Sequence, residues 1–199
     1  MSDTGIGGGK VVVNRAMSLD GFIAGPGDAQ DWIFDFMTNA EPWQIESAAA
    51  TGAMLVGRRT VEVGKTREAK NDRGTQSRGE GYPFDGPVFV LTHRPPDPPE
   101  AGVTYLTGDI GAAVATALKA AGGKNLQILG ADVAGQCLRR GLVDEILVNV
   151  LPVLLGDGIR FSPPGLPRID LEPLRSSSAG AVTILRFRVR KETRPRDIR

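Results

Sequence analysis

The sequence predicts an α/β fold with a mostly parallel sheet and helices on both of its faces. Two observations carry this. Short β-rich apolar runs alternate with helical patterns along most of the chain, which is the signature of βαβ units. Near the end, Val182, Ile184, Phe187 and Val189 are interleaved with Thr183, Arg186, Arg188 and Arg190, as in a C-terminal strand or hairpin arm.

The elements follow in order. Residues 10–17, with Val11–Val13, read as the first strand. Residues 18–31 hold Gly21, Gly25, Pro26 and Gly27 and read as loop after a brief extended piece. Residues 42–50 read as a helix, with Pro42 at a tolerated first-turn position. A short buried strand follows at 53–56, then a short helix at 58–63. Residues 64–86 are polar and glycine-rich and read as a long loop or lid. Strands are expected at 88–92 and 103–106, a helix over 109–121 closed by Gly122-Gly123, a strand at 125–129 and a helix within 130–141. The most apolar strand is 145–151. The whole chain, 1–199, reads as one domain, with 1–9 and 192–199 as flexible ends.

Composition excludes several functions. The 199 residues carry 24 Lys+Arg against 23 Asp+Glu, too balanced for a nucleic-acid-coating protein. One Cys (Cys137) forms no intrachain disulfide, and one His (His93) rules out sites needing two. Cys137 is expected as a buried small hydrophobe. With neither residue type abundant, no resident metal is expected. No run approaches a membrane span, and no apolar leader is visible, so the location expected is cytoplasmic.

Ligands of parallel α/β sheets sit beyond the carboxyl ends of strands, so the residues there are the candidates. Gly57-Arg58-Arg59-Thr60 follows the second buried strand: a glycine, two guanidiniums and a hydroxyl at a helix start, an anion site in outline or a capped surface helix. Thr92-His93-Arg94 repeats the theme before a run of prolines. Gly130-Ala131-Asp132-Val133-Ala134 lets a phosphate approach a helix start, or is a tight turn. It is not G-x-G-x-x-G. Asp20-Gly21 closes the first strand in a turn.

In this order the segments "NRAMSLDGFIAG" (14–25), "MLVGRRTVEVG" (54–64), "VFVLTHRPP" (88–96) and "LGADVAGQCLRRGLVDEILVNVLPVLLGDGIRF" (129–161) resemble the dihydrofolate reductase-like proteins. They are most similar to the branch with the reductase domain of the bifunctional riboflavin-biosynthesis deaminase/reductase. No deaminase domain is expected, because its zinc-binding Cys and His are missing.

The resemblance implies a three-layer α/β/α dihydrofolate reductase-like fold, mostly parallel with an antiparallel C-terminal strand, and NADPH across the carboxyl ends. It implies that Gly57, Arg58, Arg59 and Thr60 meet the pyrophosphate and 2′-phosphate. Thr92, His93 and Arg94 take the 2′-phosphate and adenine. Leu129, Gly130, Ala131, Asp132, Val133 and Ala134 face the pyrophosphate, with Leu129 standing where the family has the first Gly of a Gly-Gly pair joined by a cis peptide in the dihydrofolate enzymes. Ala16 and the loop from Leu19 to Phe22 wall the nicotinamide. Asp20 is the candidate catalytic group, with a turn role as its alternative. Trp32, Phe36 and Trp43 line the substrate cavity or pack a core. The acid that faces a pterin in dihydrofolate reductases is one of Asp31, Asp35, Glu41 and Glu46, with spacing unable to choose.

The activity implied is NADPH-dependent reduction of a small cyclic or heteroaromatic substrate, pteridine- or pyrimidinone-like, by a homodimer. The competing readings are a dinucleotide-binding sensor without turnover and a dihydrofolate reductase proper.

Overall fold

The computed structural model describes residues 8–36, 42–71, 84–100 and 102–191. Ten strands and four α-helices follow in the order β1 (Val11–Ser18), β2 (Phe22–Ala24), α1 (Pro42–Ala50), β3 (Thr51–Gly57), α2 (Arg58–Asn71), β4 (Val88–Leu91), β5 (Val103–Leu106), α3 (Ile110–Ala120), β6 (Asn125–Ile128), α4 (Ala131–Arg139), β7 (Glu145–Leu151), β8 (Ile159–Arg160), β9 (Leu171–Ala179) and β10 (Val182–Val189). Eight strands form one sheet in the order β5-β4-β3-β6-β1-β7-β10-β9, while β2 and β8 pair separately. The pairs from β5 through β7 are parallel; β10 runs antiparallel to β7 and to β9. This is the mostly parallel, three-layer dihydrofolate reductase-like fold expected, with an antiparallel hairpin in place of a single last strand.

Alternation along β1 shows how the sheet is sandwiched. Val11 and Val13 enter the main core with Leu55, Leu126, Ile128 and the apolar sides of α3 and α4. Ala16 joins a smaller cluster on the opposite face, around Leu151, Val182 and Ile184. In α3, Ile110, Val114 and Ala117 recur at helical spacing and are buried, and Asp109 caps the helix by accepting from the amides of Gly111 and Ala112.

Several expectations are corrected. The helix expected over 58–63 continues to Asn71, so the loop proposed for 64–86 starts at least two turns later; residues 72–83 lie outside the described residues. Lys, Arg, Glu and Ala are good helix formers, and intrinsic propensity extends a helix without apolar periodicity. Within the expected flexible 1–9, Gly9 lies so close to Lys124 O that a Cβ would fall 1.6 Å from it; residues 1–7 and 192–199 lie outside the described residues. β9 has no counterpart among the expected strands. Cys137 is fully buried, and burial pushes its thiol up to about 12.

Candidate functional site

The sheet brings two helix starts together. Leu55 of β3, Ile128 of β6 and Val13 of β1 stand in register. Two residues further along each strand come Gly57, Gly130 and Arg15. There the chain turns into α2 at Arg58 and into α4 at Ala131. A Cβ on Gly130 would lie 2.8 Å from Thr60 Oγ1 and 3.4 Å from Gly57 N. A Cβ on Gly57 would lie 3.3 Å from Val133 Cγ2. The two starts therefore abut only because both positions lack a side chain. Gly130 has φ +89°, and no side chain caps α4. The first turns of both helices and their positive dipole ends meet at the groove between the two starts, an arrangement able to receive a phosphate-class anion.

The peptide between Leu129 and Gly130 is trans, since among the described residues the cis bond is Asp97–Pro98. The cis geometry of the dihydrofolate enzymes is thus not reproduced. Leu129 packs beside Val56 and Val90, and its amide donates to Leu55 O. Ala134 N donates back to Gly130 O at 3.1 Å, closing the first turn of α4. Asp132 accepts from Gln136 Nε2 at 2.7 Å.

The basic residues ring this groove unequally. Arg58 is exposed and pairs with Glu62 one turn on. Arg59 reaches to Asp28 in the loop after β2, at 2.7 Å through Nε and 2.6 Å through Nη2. This hydrogen bond holds the Arg59 guanidinium above its ordinary pKa. Asp28 itself sits at φ +64°. The loop following β2 is thereby tied to the start of α2. At the end of β4, Thr92 is buried and its Oγ1 accepts from Arg94 N, while His93 and Arg94 stand exposed.

Asp20 lies in the turn between β1 and β2. Its carboxylate accepts from Ser18 Oγ at 2.6 Å, from Leu155 N at 3.0 Å and from Gly156 N at 2.7 Å. Ser18 Oγ in turn accepts from Phe22 N. The Ser18 hydroxyl, aided by the two amides, holds the carboxyl below the usual aspartate range against its desolvation. With these donors the carboxylate clamps two loops together. Leu19 projects from this turn, 66% exposed, and Phe22 is buried beneath the Arg160 guanidinium.

Trp32, Phe36 and Trp43 are half-buried and pack against Leu151, Val182 and Ile184, on the same face as Ala16. Of the candidate acids, Asp31 and Asp35 are exposed, and Glu41 lies outside the described residues. Glu46 lines a cleft of about 110 Å³ with Trp43, Ser47 and Ile184. Two buried polar atoms on this face, Trp43 Nε1 and Asn149 Oδ1, have no hydrogen-bond partner among the described residues.

Sequence reasoning passed over Arg15. Its Nη2 donates to Gly130 O at 2.6 Å, directly beneath the helix junction. The signal was available: Arg15 falls on the stripe of Val11, Val13 and Met17, where a charge is out of place.

The model of the RibD C-terminal domain matches residues 9–185. The uncharacterized protein YwjB of Bacillus subtilis (strain 168) is 29% identical over 153 residues, 75% of this chain and 80% of that protein. A Shewanella sp. PV-4 protein described as belonging to riboflavin biosynthesis superposes with a TM-score of 0.75 at 22% identity, covering 92% of this chain and 99% of that one. The Thermotoga maritima diaminohydroxyphosphoribosylaminopyrimidine deaminase/5-amino-6-(5-phosphoribosylamino)uracil reductase gives 0.61 at 18%, covering 91% of this chain and 56% of that one. A dihydrofolate reductase of Enterococcus faecalis complexed with NADP(H) gives 0.54 at 15%, covering 92% and 98%.

Proposed function

The chain belongs to the RibD C-terminal domain family, and from that premise we propose that it is an NADPH-dependent reductase acting on a small cyclic or heteroaromatic substrate. The observation that carries this reading is the junction of the α2 and α4 starts at Gly57 and Gly130, a side-chain-free cradle at the carboxyl ends of β3 and β6. The residues there fit a dinucleotide. The amides of 131–133 and 58–60 would hold the pyrophosphate, the Ala134 amide being taken by Gly130 O, and Arg58, Arg59 and Arg94 would hold the 2′-phosphate. The bound nicotinamide would supply the hydride. The protein's share is orientation and exclusion of water. Ala16 and the Leu19–Phe22 turn, fixed by Asp20, form the wall beside the reacting ring. The unpartnered Trp43 Nε1 and Asn149 Oδ1 support a substrate with both an acceptor and a donor on its edge, as a pteridine or pyrimidinone has. The protein acts in the cytoplasm as a homodimer. β7 and β10 each have sheet neighbours on both sides, so the hairpin face bearing the exposed Leu171 and Leu174 is its subunit surface.

Fluorescence titration with NADPH and NADH tests the cofactor. Micromolar binding of NADPH is expected, followed by its consumption with a member of a pterin and pyrimidinone panel; failure to bind removes the reading. Arg94→Ala is expected to weaken NADPH about tenfold and NADH much less, since a bidentate contact to a phosphate dianion is lost. Equal loss for the two cofactors would remove Arg94 from the 2′-phosphate site. Asp28→Ala, which frees Arg59 from its ion pair, is expected to tighten NADPH severalfold in the same titration and leave NADH unchanged.

A further inference from the structure

We propose that Arg15 is an anion-holding residue of this groove, its guanidinium completing a phosphate site with the first-turn amides of α4. The proposal rests on the cofactor reading above and adds a residue that the motifs do not include.

Three observations converge. First, Arg15 lies on the core-facing stripe of β1, and its Nε is wholly enclosed without an acceptor among the described residues. Its side chain makes a single hydrogen bond there, Nη2 to Gly130 O. Second, no described carboxylate stands within ion-pair distance. Asp132, the acid of the first turn of α4, is engaged by Gln136. Glu145, the one described acid or base that is buried as a whole residue, instead has two cations on it. Third, Arg15 sits under the N-terminus of α4, where the helix dipole is also positive. Cation and dipole repel there, and burial holds the guanidinium down to about 10. Arg15 as a whole is half-buried with its Nε enclosed, and a partly desolvated charge without a counter-ion is costly. A phosphate at the junction supplies the missing counter-charge, offsetting both the desolvation cost and the repulsion, and Arg presents the planar fork suited to it. Gly130 O, a carbonyl at the junction, is thereby occupied by both Arg15 Nη2 and Ala134 N.

The test uses wild-type protein, Arg15→Gln and Arg15→Lys, with inorganic pyrophosphate and NADPH as probes. The readouts are the thermal midpoint without ligand, its increase with each probe, and the Kd. The expected result for Arg15→Gln is a ligand-free midpoint equal to or above wild type, at least tenfold weaker binding of both probes, and loss of the pyrophosphate-induced increase. Arg15→Lys is expected to recover part of the affinity. A purely structural arginine would give the opposite, a lowered ligand-free midpoint with unchanged affinities in either variant, and that result overturns the proposal. If NADPH fails to bind wild type while pyrophosphate raises its midpoint and not that of Arg15→Gln, the reductase reading falls and the anion site stands. If neither probe affects wild type, both fall.

Discussion

Gly130→Ala is expected to abolish NADPH binding in the micromolar range while leaving a cooperatively folded protein. Two penalties act at one atom. The new Cβ would sit 2.8 Å from Thr60 Oγ1, a distance that forces α2 and α4 apart or rotates Thr60. The backbone at φ +89° is also one that alanine adopts only under strain of about 1–3 kcal/mol. If the peptide relaxes, Gly130 O leaves both Arg15 Nη2 and Ala134 N, and the first turn of α4 loses its aim. Strain of that size corresponds to roughly 10–100-fold in affinity, and the displaced amides add to it. The double variant Gly130→Ala/Thr60→Ala separates the two penalties. It removes the clash and keeps the strain, so it is expected to recover part of the affinity. Wild-type affinity in Gly130→Ala would show that no ligand approaches this junction. Thermal melting beside the titration shows whether the loss is local, since about 1 kcal/mol moves the midpoint of a domain this size by roughly 2–4 °C.

The sequence was legible where one local rule governs. α1 (Pro42–Ala50), β5 and β7 have the bounds expected from apolar runs and their flanking breakers, and the strand ends identified Gly57 and Gly130 as glycines with a reason. What was not legible depends on distant partners. β9 contains Pro173, Arg175 and three serines, shows no alternation, and pairs only because β10 runs beside it at the sheet edge. Two of the donors to Asp20, Leu155 N and Gly156 N, lie 135 and 136 residues away, beyond anything its own turn displays. Arg59 looked free for a phosphate, and Asp28 became its partner only through folding of the loop after β2. Arg15 is the instructive miss: period-2 alternation alone marks it as a charge on the buried face, but a motif search reads the glycines beside it and passes over the strand.

At the other end of the sheet, Glu145→Ala is expected to give a large loss of stability with little direct effect on cofactor affinity. Glu145 opens β7, is 2% exposed, and accepts from Lys10 Nζ at 2.5 Å and from Arg186 Nε at 2.7 Å. Its register partners are Val12 of β1 and Arg188 of β10, so the triad ties the first strand to the C-terminal hairpin. Removing one member of a buried ionic group costs about 3–5 kcal/mol where the remaining charge is enclosed. Here the orphaned cations are 51% and 39% exposed and recover hydration, so about 2–3 kcal/mol is the expected loss. Glu145→Gln keeps the shape and an acceptor and is expected to lose less. The pH dependence follows from the direction of the shift. Burial raises the Glu145 pKa, but Lys10 and Arg186 outweigh it, and the folded value lies below the ordinary 4.5. The unfolded chain then binds its proton first as pH falls. The contribution is fully present above about 4.5 and disappears as pH drops through the lower folded value. Urea midpoints measured at neutral pH and across the acid range should therefore show a wild-type advantage over Glu145→Gln that is constant above about pH 4.5 and shrinks as pH falls below it. An advantage that grows on acidification, or one equal at every pH, would mean that the triad is not what holds β7 to β1 and β10.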